Sequence, residues 1–440
     1  MDPLKTPVFW ERVLFLRHTQ FWPKESLEKL QVKKLQYLVK YVSENIAFYR
    51  DFLKKNKLTW EDFNKVEDVK KFPVITKDDI QKNYSKFLPI GIKKDKLLHR
   101  STGGSTGKPL TIYMDLDFLS RDKANTEHYM EVLGLDIFNY KSIRLYGDKI
   151  PAELIKKREY WYKEDKKLVM SCYHINKDTV RRYVEKIKEH NPVYIHTRPS
   201  AILPLAKYIL SERLKVKVKT ICCDGEYLTD GQRDIIEKAF RGIVYNVYGH
   251  TEACTVGHSC KHSRLLHFMP QVGILELLDK DGNEVCEEGK TGEIVATGFN
   301  NKMFPLIRYR TKDMAVYTNK KCKCGRDYKM IKSVEGRIQD YVVDKNKNLV
   351  PLAPAIFNYN DMDWKGIKEF KVIQEEEGKL LFNVVCEKGE KITKRFIEDK
   401  IEQIFGNVFE IEVKFINELS RTKRGKFRYL DQKLEMSKYF

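Results

Sequence analysis

The most informative stretch of this sequence is Ser101-Thr102-Gly103-Gly104-Ser105-Thr106-Gly107-Lys108-Pro109. Glycines let the backbone approach a ligand closely, and hydroxyl and amide donors suit phosphate oxygens. A Walker A loop does not fit, because Thr102 stands where its first glycine belongs and Pro109 where its last serine or threonine belongs. Residues 103–107 match a serine-hydrolase elbow, but an elbow leads directly into a helix and residues 110–114 are strand-like. A phosphate-binding loop and a plain surface turn therefore stay open.

Outward from this stretch, the chain alternates strand-like and helix-like segments. The strand-like segments are LTIYM, SIRLYG, PVYIHT, VKTICC and IVYNVYG, and the helix-like ones are residues 177–190, SAILPLAKYIL and QRDIIEKAF. This alternation predicts an α/β layer structure with a largely parallel sheet. After about residue 265, the short segments GILELLD, GEIVATG and MAVYT predict a β-subdomain.

The two ends of the chain differ from its middle. Residues 1–65 have a helical pattern, with Leu27, Leu30, Leu35, Leu38 and Val42 at roughly helical spacing, and we interpret them as an amphipathic lead-in packed on the body. Near the other end, FKVIQ, KLLFNVV, RFIEDKIEQIF and FEIEVKFI predict a β-β-α-β unit. We expect an N-terminal domain over residues 1–338 and a C-terminal domain over residues 339–440.

Composition limits the class of protein and of partner. The 440 residues include 82 Lys+Arg and 62 Asp+Glu, giving a net charge of +20, and 42% of them are hydrophobic, which suffices for a core. There is no run of about 18 apolar residues, no secretory signal and too few cysteines for a disulfide scaffold, so we expect a soluble, cytoplasmic protein without a membrane span. The positive charge favours anionic partners. A basic nucleic-acid-binding protein is the alternative of another class, but the charge is interleaved with acidic residues and no nucleic-acid-binding motif is present, so no specific nucleic acid is expected.

Four further segments, in chain order, resemble motifs of the adenylate-forming superfamily, whose Thr/Ser-rich phosphate loop resembles residues 101–109. They are Tyr248-Gly249-His250-Thr251-Glu252, Arg308-Tyr309-Arg310-Thr311-Lys312-Asp313, Gly336-Arg337, and Arg421-Thr422-Lys423-Arg424-Gly425-Lys426. Residues 72–80 and Cys322-Lys323-Cys324-Gly325-Arg326 are similar to segments of the phenylacetate–CoA ligase-like branch, which includes relatives from capsule polysaccharide clusters. The resemblance covers nearly the whole chain.

This resemblance implies a fold and a reaction. The fold is α/β: a large N-terminal adenylate-forming domain with mostly parallel sheets and a β-subdomain, plus a small mobile α+β C-terminal domain. In the reaction, a small-molecule carboxylic acid attacks the α-phosphate of ATP, giving an acyl-adenylate and pyrophosphate, and coenzyme A then displaces AMP. An amine, a sugar amine or a carrier-protein thiol is the alternative acceptor, for example in polysaccharide biosynthesis.

The resemblance also implies roles for individual residues. Lys426 would be the catalytic lysine of the adenylation step and Gln339 the hinge, where many relatives have Asp or Lys. Thr251 would contact the α-phosphate, Glu252 would bind Mg²⁺, and Asp313 would accept hydrogen bonds from the ribose hydroxyls. The remaining nucleotide-binding residues are Thr102, Gly103, Gly104, Ser105, Thr106, Gly107 and Lys108 around the phosphates, Gly225, Glu226 and Tyr227 on the adenine side, Tyr248 and Gly249 beside the base or substrate, and Arg337.

The cysteines and histidines suggest a metal site. Cys254, Cys260, Cys286, Cys322 and Cys324 are the cysteines of interest, with His258, His262 and His267 nearby in sequence. Thiolate and imidazole ligands select zinc, and several phenylacetate–CoA ligase-like proteins carry a structural zinc here. We predict a zinc set of Cys260, His267, Cys322 and Cys324, with free thiols and surface histidines as the alternative.

The substrate acid is not readable from these motifs. Its pocket is expected to draw on residues before Gly249 and on residues 194–200, and aromatic acids are the guess that the family favours. Within that segment, His196 and Arg198 could meet a polar group or a second carboxylate, or could serve the structure alone.

Overall fold

The structure is a computed structural model that describes residues 4–93, 95, 97–101, 110–136, 140–148, 150–337, 341–347, 349–352, 366–387, 392–419 and 429–439. Its α-helices are α1 (Pro7–Thr19), α2 (Lys24–Asn45), α3 (Ala47–Lys55), α4 (Lys77–Lys82), α5 (Leu116–Val132), α6 (Ala152–Lys156), α7 (Val180–His190), α8 (Pro199–Ser211), α9 (Asp230–Phe240) and α10 (Lys394–Phe405). Its strands are β1 (Leu98–Ser101), β2 (Thr111–Met114), β3 (Ser142–Tyr146), β4 (Trp161–Glu164), β5 (Lys167–Ser171), β6 (Tyr194–Thr197), β7 (Thr220–Asp224), β8 (Ile243–Gly249), β9 (Val256–Cys260), β10 (Ser263–Phe268), β11 (Gly273–Leu278), β12 (Thr291–Gly298), β13 (Tyr309–Tyr317), β14 (Lys329–Arg337), β15 (Tyr341–Val343), β16 (Leu349–Pro351), β17 (Ile367–Gln374), β18 (Lys379–Cys386), β19 (Glu410–Phe415) and β20 (Leu430–Gln432).

The chain folds into two compact units. The first consists of Met1–Asn139 and Tyr245–Val334, and the second of Tyr140–Val244 and Glu335–Phe440. Among the described helices, none has the length and apolarity to cross a bilayer. The cytoplasmic location stays a prediction.

The first unit begins with the helical lead-in that the sequence predicts. Leu27, Leu35, Leu38 and Val42 are buried along α2, because their spacing places them on one face of the helix. α1 starts where Pro7 occupies the first turn and the Thr6 hydroxyl accepts a hydrogen bond from the Phe9 N–H at 3.3 Å.

Within the first unit, the strands follow the order β11-β12-β13-β14-β10-β9-β8, and the described pairings among them are antiparallel. This confirms the β-rich texture predicted after residue 265. Every residue of β11 is buried, including Glu276. The Arg308 guanidinium donates to both Glu276 carboxylate oxygens, at 3.0 and 2.9 Å, so the charge on this strand is paired bidentately.

The second unit contains the parallel strands. β3 pairs in parallel with β5 and with β6, β6 pairs in parallel with β7, and β4 lies antiparallel to β5. Helix α7 buries Val180, Tyr183, Val184 and Ile187 at helical spacing. These elements confirm the predicted α/β alternation, whereas the β4–β5 pair is not predicted from the sequence.

The C-terminal part of the second unit forms its own sheet. The strand order is β19-β18-β17-β20, with β17 and β18 antiparallel, β18 and β19 parallel, and α10 between β18 and β19 in sequence. This confirms the β-β-α-β prediction, and the structure adds β20, which runs parallel to β17. The core contains Val372, Phe382, Ile397, Ile401 and Val413. The division into domains at residue 338 stays a prediction.

Candidate active site

Several predicted site residues lie outside the described residues. They are Thr102, Gly103, Gly104, Ser105, Thr106, Gly107, Lys108, Gln339 and Lys426. Their roles, like that of Arg337 at the end of β14, stay predictions. The flanks of the glycine-rich stretch are described: Ser101 on β1 lies opposite Thr111 on β2, with 3.4 Å between their hydroxyl oxygens. A strand, β2, therefore follows the stretch, which excludes the hydrolase elbow.

Tyr248 and Asp313 form a buried hydrogen-bonded pair in the first unit. The Tyr248 hydroxyl, at the end of β8, donates to Oδ2 of Asp313 on β13 at 2.8 Å, and the Asp313 N–H donates to the Thr311 hydroxyl at 3.1 Å. Burial and the charge of Asp313 raise the pKa of Tyr248 well above its usual value, so the phenol keeps its proton and stays a donor. A carboxylate has about four lone-pair sites, so Asp313 can accept further donors such as ribose hydroxyls.

Glu252 is held by two aromatic side chains. The Tyr309 hydroxyl donates to Oε1 at 2.7 Å, and Nδ1 of His250 lies 3.2 Å from Oε2. Burial alone would raise the pKa of Glu252, but the hydrogen bond and charge of His250, with the Tyr309 hydroxyl, lower it to about 2. The carboxylate is therefore ionised at neutral pH, which suits a hard divalent cation.

Backbone strain marks the two segments that carry these carboxylates. Ala253, Arg308 and Lys312 have φ angles of 50°, 51° and 63°, in the left-handed region that side chains disfavour. Ala253 ends a turn in which its N–H donates to the His250 carbonyl at 2.9 Å. Thr251 lies within this turn and is half-buried. The strained residues thus flank Glu252 and Asp313 in sequence.

The predicted adenine-side segment lies in the second unit, directly after β7. Gly225 has a φ of +68°, which glycine adopts without strain. The Glu226 carboxylate accepts hydrogen bonds from the Ser200 N–H at 3.0 Å and the Ser200 hydroxyl at 2.9 Å. Glu226 therefore ties this segment to the first turn of α8, while Tyr227 is half-buried.

The carboxyl ends of β3, β6 and β7 bring polar side chains together in the second unit. Leu145, Thr197 and Cys223 share one row of the register, so the next residues, Tyr146, Arg198 and Asp224, form what we call the carboxyl-end row. The Tyr146 hydroxyl donates to Asp224 Oδ1 at 2.5 Å, and His196 Nε2 lies 2.8 Å from Oδ2. Burial opposes ionisation of Asp224, but His196, Tyr146 and the charge of Arg198 lower its pKa.

The four predicted zinc ligands lie together in the first unit. The ligand atoms of Cys260, His267, Cys322 and Cys324 all lie within 4.8 Å of one another. The Sγ atoms of Cys260 and Cys322 are 3.6 Å apart, and Cys324 Sγ lies 3.4 Å from His267 Nε2. A zinc tetrahedron has edges of about 3.8 Å between sulfurs and about 3.6 Å between sulfur and nitrogen, so these residues fit the ion.

The protein also orients the histidine of this Cys/His cluster. Nδ1 of His267 lies 3.2 Å from the Leu265 carbonyl oxygen, which leaves Nε2 for the sulfur side. Burial opposes thiolate formation at Cys324, yet hydrogen bonds from Arg326 lower its pKa. The other cysteines of interest are outside the cluster: Cys254 is buried elsewhere and Cys286 is exposed.

Sequence reasoning assigned no role to two residues at the carboxylates, Tyr309 and His250. Both lie inside the motifs quoted from the sequence, and this position was the signal that could have identified them. Their hydrogen-bond partners follow only from the fold. His250 Nε2 is buried and has no hydrogen-bond partner within the described part of the chain. The sequence left His196 and Arg198 between a polar contact and a structural role. Arg198 belongs to the carboxyl-end row, and His196 lies within hydrogen-bond distance of Asp224 in that row.

Comparisons with known proteins agree with these motifs. The family model of the CapK C-terminal domain matches residues 342–433. Protein CapK of Staphylococcus aureus is 29% identical over 96% of this chain and 92% of its own length. A phenylacetate-coenzyme A ligase of Thermus thermophilus is 25% identical over 75% of this chain and 74% of its own length.

A solved structure supports the fold. A crystal structure of 2-hydroxyisobutyryl-CoA ligase in complex with 2-HIB-AMP has a TM-score of 0.73 at 19% identity, covering 96% of this chain and 93% of that one. At this identity, the likeness establishes the α/β architecture with its small C-terminal α+β part. Motifs and sequence relatives agree: the chain is similar in sequence to CapK and to phenylacetate-coenzyme A ligases, and it shares the fold of a solved CoA ligase.

Proposed function

We propose that this protein activates a carboxylic acid with ATP and transfers the acyl group to coenzyme A. The observation that carries the proposal is the pair of buried carboxylates, Asp313 and Glu252, each accepting a tyrosine hydroxyl within a segment that resembles a nucleotide-binding motif. Phenylacetate-coenzyme A ligases from Thermus thermophilus and Pseudomonas putida, which align with 75% and 74% of this chain, support the reaction class.

In the first step, an oxygen of the acid attacks the α-phosphorus, and pyrophosphate leaves with the electron pair of the broken P–O bond. Asp313 would hold the ribose hydroxyls and Thr251 would contact the α-phosphate. The ionised Glu252 would hold Mg²⁺, which neutralises phosphate charge when bound. Lys426 would bridge the attacking carboxylate and the α-phosphate, so catalysis would rest on positioning and on charge stabilisation.

In the second step, the thiolate of coenzyme A attacks the acyl carbonyl and AMP leaves. The thiol loses its proton to solvent or to a base, and the carbonyl–phosphate bond breaks with its electron pair on AMP. An amine, a sugar amine or a carrier-protein thiol would follow the same course. Experiments can therefore identify the acyl acceptor without any change to the proposed adenylation step.

Exchange of labelled pyrophosphate into ATP tests adenylation directly, with a panel of aliphatic, aromatic and dicarboxylic acids and Mg²⁺. We expect acid-dependent exchange, followed by acyl-CoA formation when coenzyme A is added. The absence of exchange with every acid would contradict the proposal. AMP release that requires an amine or a carrier protein, and not coenzyme A, would retain adenylation and replace the acceptor.

We also propose that the Cys/His cluster binds one structural Zn²⁺, which would fasten the segment around Cys322 and Cys324 to β9 and β10. Metal analysis of the purified protein should give about one equivalent of zinc, because four ligands at tetrahedral spacing close the site. Cys324→Ser should lose most of the metal, whereas Cys286→Ser, at an exposed thiol outside the cluster, should retain it. Zinc below about a tenth of an equivalent in the unaltered protein would end this proposal.

A further inference from the structure

We propose that Arg198 binds a second anionic group of the substrate acid, so that this protein prefers dicarboxylic acids to monocarboxylic acids of the same skeleton. The inference rests on the proposed function, because it takes the carboxyl-end row as the place where the part of the acid that does not react binds. Arg198 would be a specificity-determining residue with no part in the bond-making steps.

The position of the row is the first argument. Tyr146, Arg198 and Asp224 follow directly from one register row of three neighbouring parallel strands, at the ends where those strands stop. In open α/β sheets, ligands bind outside the carboxyl ends of the strands. The row also leads into the predicted nucleotide segment, since a Cβ on Gly225 would lie 3.5 Å from Arg198 Nε.

The unused donors of Arg198 are the second argument. A guanidinium carries five N–H groups in a planar fork. Within the described residues, Arg198 Nε is buried without a hydrogen-bond partner, and no carboxylate forms an ion pair with this side chain. The guanidinium carbon lies 5.0 Å from the centroid of the Tyr146 ring, and its charge acts on Asp224 without a described hydrogen bond between the two side chains. A buried donor without an acceptor is costly and indicates a missing partner.

The neighbouring acids do not supply that partner. Asp224 accepts from Tyr146 and is hydrogen-bonded to His196, one to each oxygen, at 2.5 and 2.8 Å. Asp148 pairs with Arg144, the second cation on the Tyr146 ring, at 2.9 Å. Both carboxylates are therefore engaged by other groups, and the fork of Arg198 is available for a planar carboxylate, which it fits bidentately.

The same fork could also bind a phosphate of ATP or of coenzyme A, since both present oxyanions. These sources differ in which Michaelis constant depends on Arg198. A second carboxylate of the acid changes the KM of the acid alone, whereas a phosphate contact changes the KM of ATP or of coenzyme A with every acid.

The test compares matched acids: succinate with butyrate, glutarate with valerate, and homophthalate with phenylacetate. Pyrophosphate exchange is measured for the unaltered protein and for Arg198→Met, Arg198→Lys and the control Arg144→Met. We expect the unaltered protein to favour one of the dicarboxylates by roughly 10- to 100-fold in kcat/KM, as one charge-assisted contact gives. Arg198→Met should raise the KM of the diacid and so bring that ratio close to one. Arg198→Lys should retain part of the preference for the diacid. Arg144→Met should leave the ratio unchanged, because Arg144 is paired with Asp148.

Equilibrium binding of the same acids, measured by calorimetry on the full chain, keeps the test valid if a variant turns over poorly. The inference is supported if the unaltered protein binds a diacid more tightly than the matched monoacid and Arg198→Met abolishes this difference. Equal or better use of monoacids by the unaltered protein overturns it and leaves the proposed function standing. A changed KM for ATP or coenzyme A in Arg198→Met also overturns it and assigns the fork to a phosphate. If no acid of the panel supports pyrophosphate exchange, the proposed function is overturned, and this inference with it.

Discussion

The buried ion pair between Arg308 and Glu276 joins the strained Arg308 segment to the interior of the first unit, and it can be broken with one isosteric change. Glu276→Gln keeps the shape of the side chain and removes its charge. Arg308 would then keep its hydrogen bond to the Phe72 carbonyl, at 2.8 Å, but lose its counter-ion. The side chains of Arg308 and Glu276 are only 9% and 4% exposed, so water cannot replace the missing charge.

The size of the effect follows from this burial. Removing one partner of a buried ion pair costs about 3–5 kcal/mol, because the remaining charge is left uncompensated in a medium of low polarity. For a unit of this size, each kcal/mol lowers the melting temperature by about 2–4 °C. Glu276→Gln should therefore melt about 6–20 °C lower than the unaltered protein.

Thermal unfolding followed by tryptophan fluorescence suits the measurement, since Trp10, Trp22 and Trp60 belong to the first unit. The matched control is Glu28→Gln, which breaks the exposed pair with Lys24, and it should change the free energy of unfolding by no more than about 0.5 kcal/mol. If both variants melt within about 2 °C of the unaltered protein, the reasoning about the buried pair is wrong.

Three further changes test the nucleotide site. Lys426→Ala should abolish adenylation yet leave thiolysis of a supplied acyl-adenylate largely intact. The control Lys423→Ala, in the same basic segment, should leave both half-reactions intact. Equal loss of both half-reactions in Lys426→Ala would contradict the predicted role. Asp313→Ala should weaken ATP binding roughly tenfold or more, because charge-assisted hydrogen bonds to the ribose are lost, and unchanged affinity and rate would remove Asp313 from the site. Glu252→Gln should raise the Mg²⁺ concentration for half-maximal exchange at least roughly tenfold; an unchanged Mg²⁺ dependence would argue against a metal ligand at this position.

Much of the fold could be predicted from local patterns, because alternating strand and helix segments with short turns leave few arrangements. The exceptions are elements whose pattern is weak. β4 and β5 are short, and the charged residues 163–167 between their apolar parts obscure the alternation. β20 has three residues and follows a basic segment, so only its parallel pairing with β17 identifies it as a strand.

The site was predictable as a set of segments, and less so as a set of contacts. Motif order identified Glu252 and Asp313, but one of the two partners of Glu252 is Tyr309, which lies 57 residues further along the chain. Such a pairing depends on how β13 and the turn after β8 come together, which no local spacing encodes. The Cys/His cluster is similar, because its four members come from three separate segments without a standard spacing.

The left-handed φ angles of Ala253, Arg308 and Lys312 have a consequence for engineering this protein. Each non-glycine residue in that region costs roughly 1–2 kcal/mol of stability, which the surrounding packing must offset. A search for heat-resistant variants would therefore favour glycine at Ala253 and Lys312, but not at Arg308, whose side chain forms the buried ion pair with Glu276. Ala253 and Lys312 lie next to Glu252 and Asp313, where a looser backbone would widen the range of carboxylate positions. Thermal tolerance and nucleotide affinity would therefore be traded against each other at these two residues.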